Sequence, residues 1–153
     1  LVGRTDIPPY YKTMLDSGRV LLAATEYNLV YFQSKSAAFG RLIADVGRFI
    51  IRQEPPYLVH CRLGTDRTGV VTAILAGLAG ATWGELRTDY QKTNNARFGE
   101  YRDSALLRYS LEQLLGIRLA DHTTIAAPLK AWLLREKVLS APEIAALEAR
   151  LTR

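Results

Sequence analysis

Tyr57-Leu58-Val59-His60-Cys61-Arg62-Leu63-Gly64-Thr65-Asp66-Arg67-Thr68-Gly69 is the segment around which the chain is organised. Tyr57 to Val59 is a short apolar run that predicts a buried strand. From Thr68 the apolar residues recur with helical spacing to about Ala79, which predicts a helix over 67–79. A strand that ends in a loop and restarts as a helix leaves backbone N–H groups converging on one spot. Those groups and the positive end of the helix make an anion site. The loop holds the single cysteine of the chain, with five residues between Cys61 and Arg67. The field of such a site favours thiolate over thiol. Arg67 adds a planar fork matched to two phosphate oxygens. A thiolate beneath a phosphate cradle is the layout for phosphoryl transfer through a cysteinyl-phosphate.

Outward from the loop, Phe39, Leu42, Ile43, Val46, Phe49 and Ile50 form one stripe of a helix capped by Ser34 or Ser36 and running to about Arg52. Arg19 to Ala24 is apolar between turn residues and reads as a second strand. Tyr10 to Asp16 forms one or two turns. The helix at 67–79 is apolar nearly all round, as befits a central, buried element. Thr82-Trp83-Gly84-Glu85 and Ser140-Ala141-Pro142-Glu143 are capping boxes that open two further helices, the second reaching Thr152. Arg102 to Leu115 and Thr124 to Lys137 read as two more. The expected fold class is α/β, a central and mostly parallel sheet flanked by helices, with a helix-rich C-terminal half.

His60-Cys61-x-x-Gly64-x-x-Arg67-Thr68-Gly69 resembles the signature of the cysteine-dependent protein tyrosine phosphatases. With Asp66 directly before the arginine, it is similar to the atypical bacterial tyrosine and lipid phosphatases, which read His-Cys-x-x-Gly-Lys-Asp-Arg-Thr-Gly. Leu86 to Asn94 resembles that family's Asp-Tyr segment followed by Ser-Asn, and Trp132 to Leu151 its C-terminal helical hairpin. The likeness covers roughly residues 27–151. Two positions depart from it: Thr65 stands where lysine is common, and Leu63 where a small alanine is common. The first removes a cation from the pocket floor and disfavours a polyanionic lipid headgroup, although Arg62 partly replaces the charge. The second makes a wall more apolar, which suits a phenyl ring.

The resemblance implies Cys61 as nucleophile, Arg67 as phosphate clamp, and backbone amides of Arg62, Leu63, Gly64, Thr65, Asp66 and Arg67 as the cradle. Gly64 permits the backbone angles the cradle demands. Asp66 is the expected general acid and then base; an aspartate that merely braces the loop is the competing reading. Asp6 and Asp16 are upstream alternatives for the acid, whereas Asp45 lies on a solvated helix face. Thr68 is expected to hydrogen-bond the sulfur and help it leave. His60 and Asp89 are supporting residues, and His122 has no partner in the sequence.

At 153 residues the chain is read as a single domain, 1–153, able to bury about 70% of its unfolded surface. It begins at Leu1, and family members usually extend further, so a processed or missing N-terminal part is expected. The 48% hydrophobic content and 23% charge are those of an ordinary globule. The net charge of +5 comes from scattered basic residues, which argues against a nucleic-acid partner; it reads first as a solvated basic surface, and a field that draws in anionic substrates is the functional alternative. No membrane span is expected, and a lone cysteine excludes an internal disulfide. A cytoplasmic setting fits, with secretion left open; the oligomeric state is not legible. No metal-ligand spacing occurs, so no cofactor or metal is expected.

The leading expectation is metal-independent hydrolysis of phosphate monoesters, with a phosphorylated protein or other anionic phosphate ester as substrate. Protein phosphotyrosine comes first, with dual specificity open, and phosphoinositides or inositol phosphates are the alternative within the class. A non-catalytic binder of phosphoproteins and a rhodanese-like sulfur transferase are the competing classes. The first has no need of a thiolate, and the second lacks the Arg-Thr-Gly continuation.

Overall fold

The apolar segment after the cysteine loop becomes the hub of the molecule. In the computed structural model, which describes residues 8–23, 25–96 and 101–152, this helix spans Asp66–Leu78. It follows α1 (Pro9–Asp16), α2 (Tyr27–Phe32) and α3 (Ala37–Arg52), and is itself α4. After it come α5 (Trp83–Lys92), a 3₁₀ turn at Thr93–Ala96, α6 (Ser104–Leu115), α7 (Ala126–Arg135) and α8 (Ala141–Leu151). α4 touches α2, α5, α6, α7 and α8. Val70, Val71, Ala73, Ile74 and Leu78 are buried on it. A helix apolar on all sides can be surrounded in this way without exposing hydrocarbon.

The local signals fold as their chemistry dictates. Ser36 caps α3 by accepting from the Phe39 N–H at 3.2 Å. Phe39, Leu42, Ile43 and Ile50 of its stripe are buried, and Val46 and Phe49 half-buried. Both capping boxes form: Thr82 with Glu85, and Ser140 with Glu143. In each the glutamate accepts the N-cap N–H at 2.7 Å, Thr82 also accepts from the Glu85 N–H, and one such cap contributes about 1 kcal/mol. α8 packs chiefly on α3, tied by the Arg48–Glu143 ion pair at 2.7 Å.

The expected parallel sheet is not there among the described residues. Among the described residues the chain is helical, and the only β pairing is an isolated antiparallel bridge between Thr82 and Thr124. Arg19 to Ala23 and Tyr57 to Val59 carry no regular structure and form no β pairing with the described residues (Ala24 lies outside the described residues). An apolar run becomes a strand only if a neighbour supplies ladder partners, and periodicity cannot show whether one exists. Leu58 is 87% exposed. Tyr57 is instead moored to the end of α3, where its hydroxyl donates to the carbonyls of Gln53 at 2.7 Å and Ile50 at 3.2 Å. The segment before Cys61 is a tether between helices, and the fold class is corrected to an α-helical assembly around α4.

Candidate active site

Cys61 lies at the end of the tether, and the chain then turns through residues 62–65 into α4. The turn needs Gly64, whose φ is +81°. This conformation aims the Gly64 N–H at Cys61 Sγ, 3.3 Å away. α4 starts at Asp66, and its first bond within the turn runs from Gly69 N–H to the Thr65 carbonyl at 2.8 Å. The amides before it are the orphan donors of the helix, a setting that favours an anion because the positive end of the dipole lies behind them.

Cys61 is half-buried. Burial pushes its thiol up, but the Thr68 hydroxyl and the backbone N–H groups of Thr68, Gly64 and Leu63 pull it down by more, so its pKa lies below that of an ordinary cysteine. Thr68 Oγ1 is itself buried with no hydrogen-bond partner of ordinary geometry, so its help to the sulfur is that of a loosely aligned dipole. Such contacts tighten when substrate is bound.

Arg67 is half-buried, and its Nη1 donates to the carbonyl of Thr25 at 3.1 Å, just before α2. The tie orients the guanidinium from one edge. Its other nitrogens make no hydrogen bond to the described residues.

Asp66 turns away from Arg67 to other partners. Its Oδ1 accepts from the Tyr31 hydroxyl at 3.0 Å and from Arg102 Nε at 3.0 Å. Tyr31, on α2, is fully buried, and its hydroxyl meets that of Tyr90 on α5. Burial raises the Tyr31 phenol far above its ordinary range, and the Tyr90 hydroxyl and Asp66 add to the rise. Burial also raises Tyr90, by more than its bond to Tyr31 lowers it. Both phenols therefore keep their protons. Tyr31's one proton goes to the carboxylate, so Tyr90 donates to Tyr31 Oη. α2 is held in place for this by α6, where the buried Ser110 hydroxyl donates to the carbonyl of Val30.

Gly69 explains itself in the same network. A Cβ there would stand 2.8 Å from Cδ2 and Cε2 of the Tyr90 ring. Only the bare backbone of α4 lets that ring approach and reach Tyr31.

The remaining expected residues are less engaged. His60 is exposed, with Nδ1 3.4 Å from the Cys61 carbonyl oxygen, and Arg62 is exposed. Thr65 is buried and Leu63 half-buried. Asp89 is exposed on α5 and pairs with Lys92 at 3.4 Å. Asp16 pairs with Lys12 at the surface, Asp45 is exposed on α3, and Asp6 lies outside the described residues. His122 is exposed. A groove of about 710 Å³ opens beside Gly64 and Thr68, between α4 and α5, with small side chains such as Ala73 and Ala76 along it and Glu85 and Lys92 at its rim. Among the described residues no three His, Cys, Asp or Glu side chains cluster to hold a metal ion, and no helix is long and apolar enough to cross a membrane.

Tyr31, Arg102 and Thr25 were not legible as site residues. Nothing in the local spacing of 26–33 marks Tyr31, and a single sequence carries no sign of a pairing such as Asp66 to Arg102, thirty-six positions apart.

A family model described as "Tyrosine phosphatase family" matches residues 11–152, nearly the whole chain. The chain belongs to the tyrosine phosphatase family. Comparison with curated proteins and with solved structures gave no match in either case. Membership in the tyrosine phosphatase family makes the protein a phosphatase hydrolase with a phosphorylated substrate. Among its described residues this member of the family reaches its cysteine loop through a non-helical tether, without a sheet.

Proposed function

We propose that this phosphatase hydrolyses phosphotyrosine in proteins by two steps through a cysteinyl-phosphate on Cys61. The observation that carries the reading is the Gly64 N–H held 3.3 Å from Cys61 Sγ at the start of α4, together with the lowered thiol pKa. In the first step the thiolate attacks phosphorus, an S–P bond forms and the P–O ester bond breaks. Asp66 gives its proton to the leaving oxygen. The loop amides and the free nitrogens of Arg67 carry the charge that builds on the phosphoryl oxygens. In the second step water attacks phosphorus, Asp66 takes the water's proton, and the S–P bond breaks to return the thiolate. Thr68's unpartnered hydroxyl is the donor that steadies the departing sulfur.

The preference for an aryl ester is supported by two residues of the loop. Leu63 offers hydrocarbon, and Thr65, buried, offers no cation to a polyphosphorylated headgroup. The groove beside Gly64 and Thr68 gives the substrate's flanking residues a place to lie.

Release of inorganic phosphate across phosphotyrosine, phosphoserine and phosphothreonine peptides, phosphoinositides and inositol phosphates tests the reading. The expected result is highest kcat/KM on phosphotyrosine peptides. Higher kcat/KM on a phosphoinositide refutes the substrate class; saturable binding without phosphate release from any of them refutes the reaction.

A further inference from the structure

We propose that Tyr31 and Arg102 are positioning residues for Asp66: together they occupy Oδ1, so that Oδ2 alone carries the proton exchanged with the leaving oxygen and the water. The inference rests on the reading of Asp66 as the acid and base.

A carboxyl group has two oxygens, and either can hold the proton if nothing distinguishes them. Here the two donors converge on one of them, each at 3.0 Å. No hydrogen bond to Oδ2 is made by the described residues, and Oδ2 is not a buried orphan. The oxygen that accepts two bonds is the poorer site for a proton, and the other is left for it. A proton on Oδ2 then leaves both bonds to Oδ1 intact, so the side chain need not turn when it changes charge.

The donors are also fixed from different sides. Tyr31 comes from α2 and is backed by Tyr90 from α5, whose ring lies on Gly69 one turn along α4 from Asp66. Arg102 comes from the approach to α6 and is 30% exposed. Three elements thus converge on a carboxylate whose own backbone is the first residue of α4. A catalytic group needs a second layer of this kind to hold its angle, because a small displacement costs rate steeply.

Leaving-group dependence tests the assignment, because a merely structural lesion slows all substrates alike. Turnover is measured on p-nitrophenyl phosphate, whose leaving group departs without help, and on phenyl phosphate, whose leaving group needs the proton. Tyr31→Phe keeps the ring and removes the donor. It should lower kcat roughly 10- to 100-fold on phenyl phosphate and far less on p-nitrophenyl phosphate. Asp66→Asn should show the same pattern more strongly. In the double variant, Tyr31→Phe should add no more than about twofold, since the group it positions is already gone. Arg102→Gln is run through the same cycle and decides the matter if Tyr31→Phe does not fold.

Equal losses on both substrates, or losses that multiply with Asp66→Asn, overturn the positioning role and leave Asp66 as the acid. If Asp66→Asn itself slows both substrates equally, the acid assignment fails and the positioning role falls with it.

Discussion

Gly69→Ala tests the packing on which the active site stands. The change adds one methyl group, and that carbon would stand 2.8 Å from two carbons of the Tyr90 ring. Carbon atoms rest at about 3.5–4.0 Å, so the ring or the helix must give way by roughly 0.7–1.2 Å. Tyr90 is 3% exposed and hydrogen-bonded to Tyr31, so the ring has little room to yield. Overpacking of this kind costs about 1–3 kcal/mol. Against it, alanine gains about 1 kcal/mol over glycine as a helix former. The net expectation is a loss of up to about 2 kcal/mol, or up to roughly 8 °C in Tm for a domain of this size. The assay is thermal unfolding of the wild type, Gly69→Ala, Tyr90→Leu and the double variant. Removing the ring edge should turn the alanine from harmful to neutral or favourable. A raised Tm for Gly69→Ala alone, or an alanine penalty that persists when Tyr90 is leucine, refutes the close approach of α4 and α5, and with it the route by which Tyr90 reaches Tyr31.

Four further outcomes are expected. Cys61→Ser should abolish release of p-nitrophenol from p-nitrophenyl phosphate while phosphate binding persists; appreciable turnover rules out the covalent route. Arg67→Lys should lower kcat roughly 100- to 1000-fold, because a point charge cannot reproduce a planar fork aimed at two oxygens, and near-normal rates remove Arg67 from the clamp. Iodoacetamide should alkylate Cys61 with a midpoint below that of a free thiol, and Thr68→Val should move that midpoint up toward the ordinary cysteine value, since the hydroxyl is one of the groups that lowers it; an unmoved midpoint shows that the backbone amides act without it. Glu143 has its pKa lowered from 4.5 to about 2 by Arg48 and by the backbone and hydroxyl of Ser140. Its contribution is therefore complete above 4.5 and is lost as pH falls through about 2. With both partners partly exposed, Glu143→Gln should cost about 1 kcal/mol at neutral pH, and the gap from wild type should close in acid.

The cysteine loop could be read from the chain because its chemistry is local. Cys61, Gly64 and Thr68 lie within eight residues, and a tight turn into a helix leaves few ways to arrange them. The helices were legible for the same reason: a cap, a stripe and a terminator all act over a few residues. Ser36, the two capping boxes and the stripe of α3 folded as their side chains dictate. The strands were another matter. Tyr57 to Val59 has the composition of a strand, yet a strand is a relation between two segments, and composition describes only one of them.

Sequence by itself determined where the sulfur stands, which helix aims its amides at it, and where α3, α4, α5 and α8 begin. Tertiary structure alone decided that no sheet forms among the described residues, that Arg67 leans on Thr25, and that Asp66 answers to Tyr31 and Arg102 rather than to its neighbour in the chain. The division follows from the range of the forces involved. Backbone hydrogen bonds and caps close within a turn of the residue that specifies them, whereas a half-buried carboxylate takes whichever donors the packing of distant helices brings within about 3 Å.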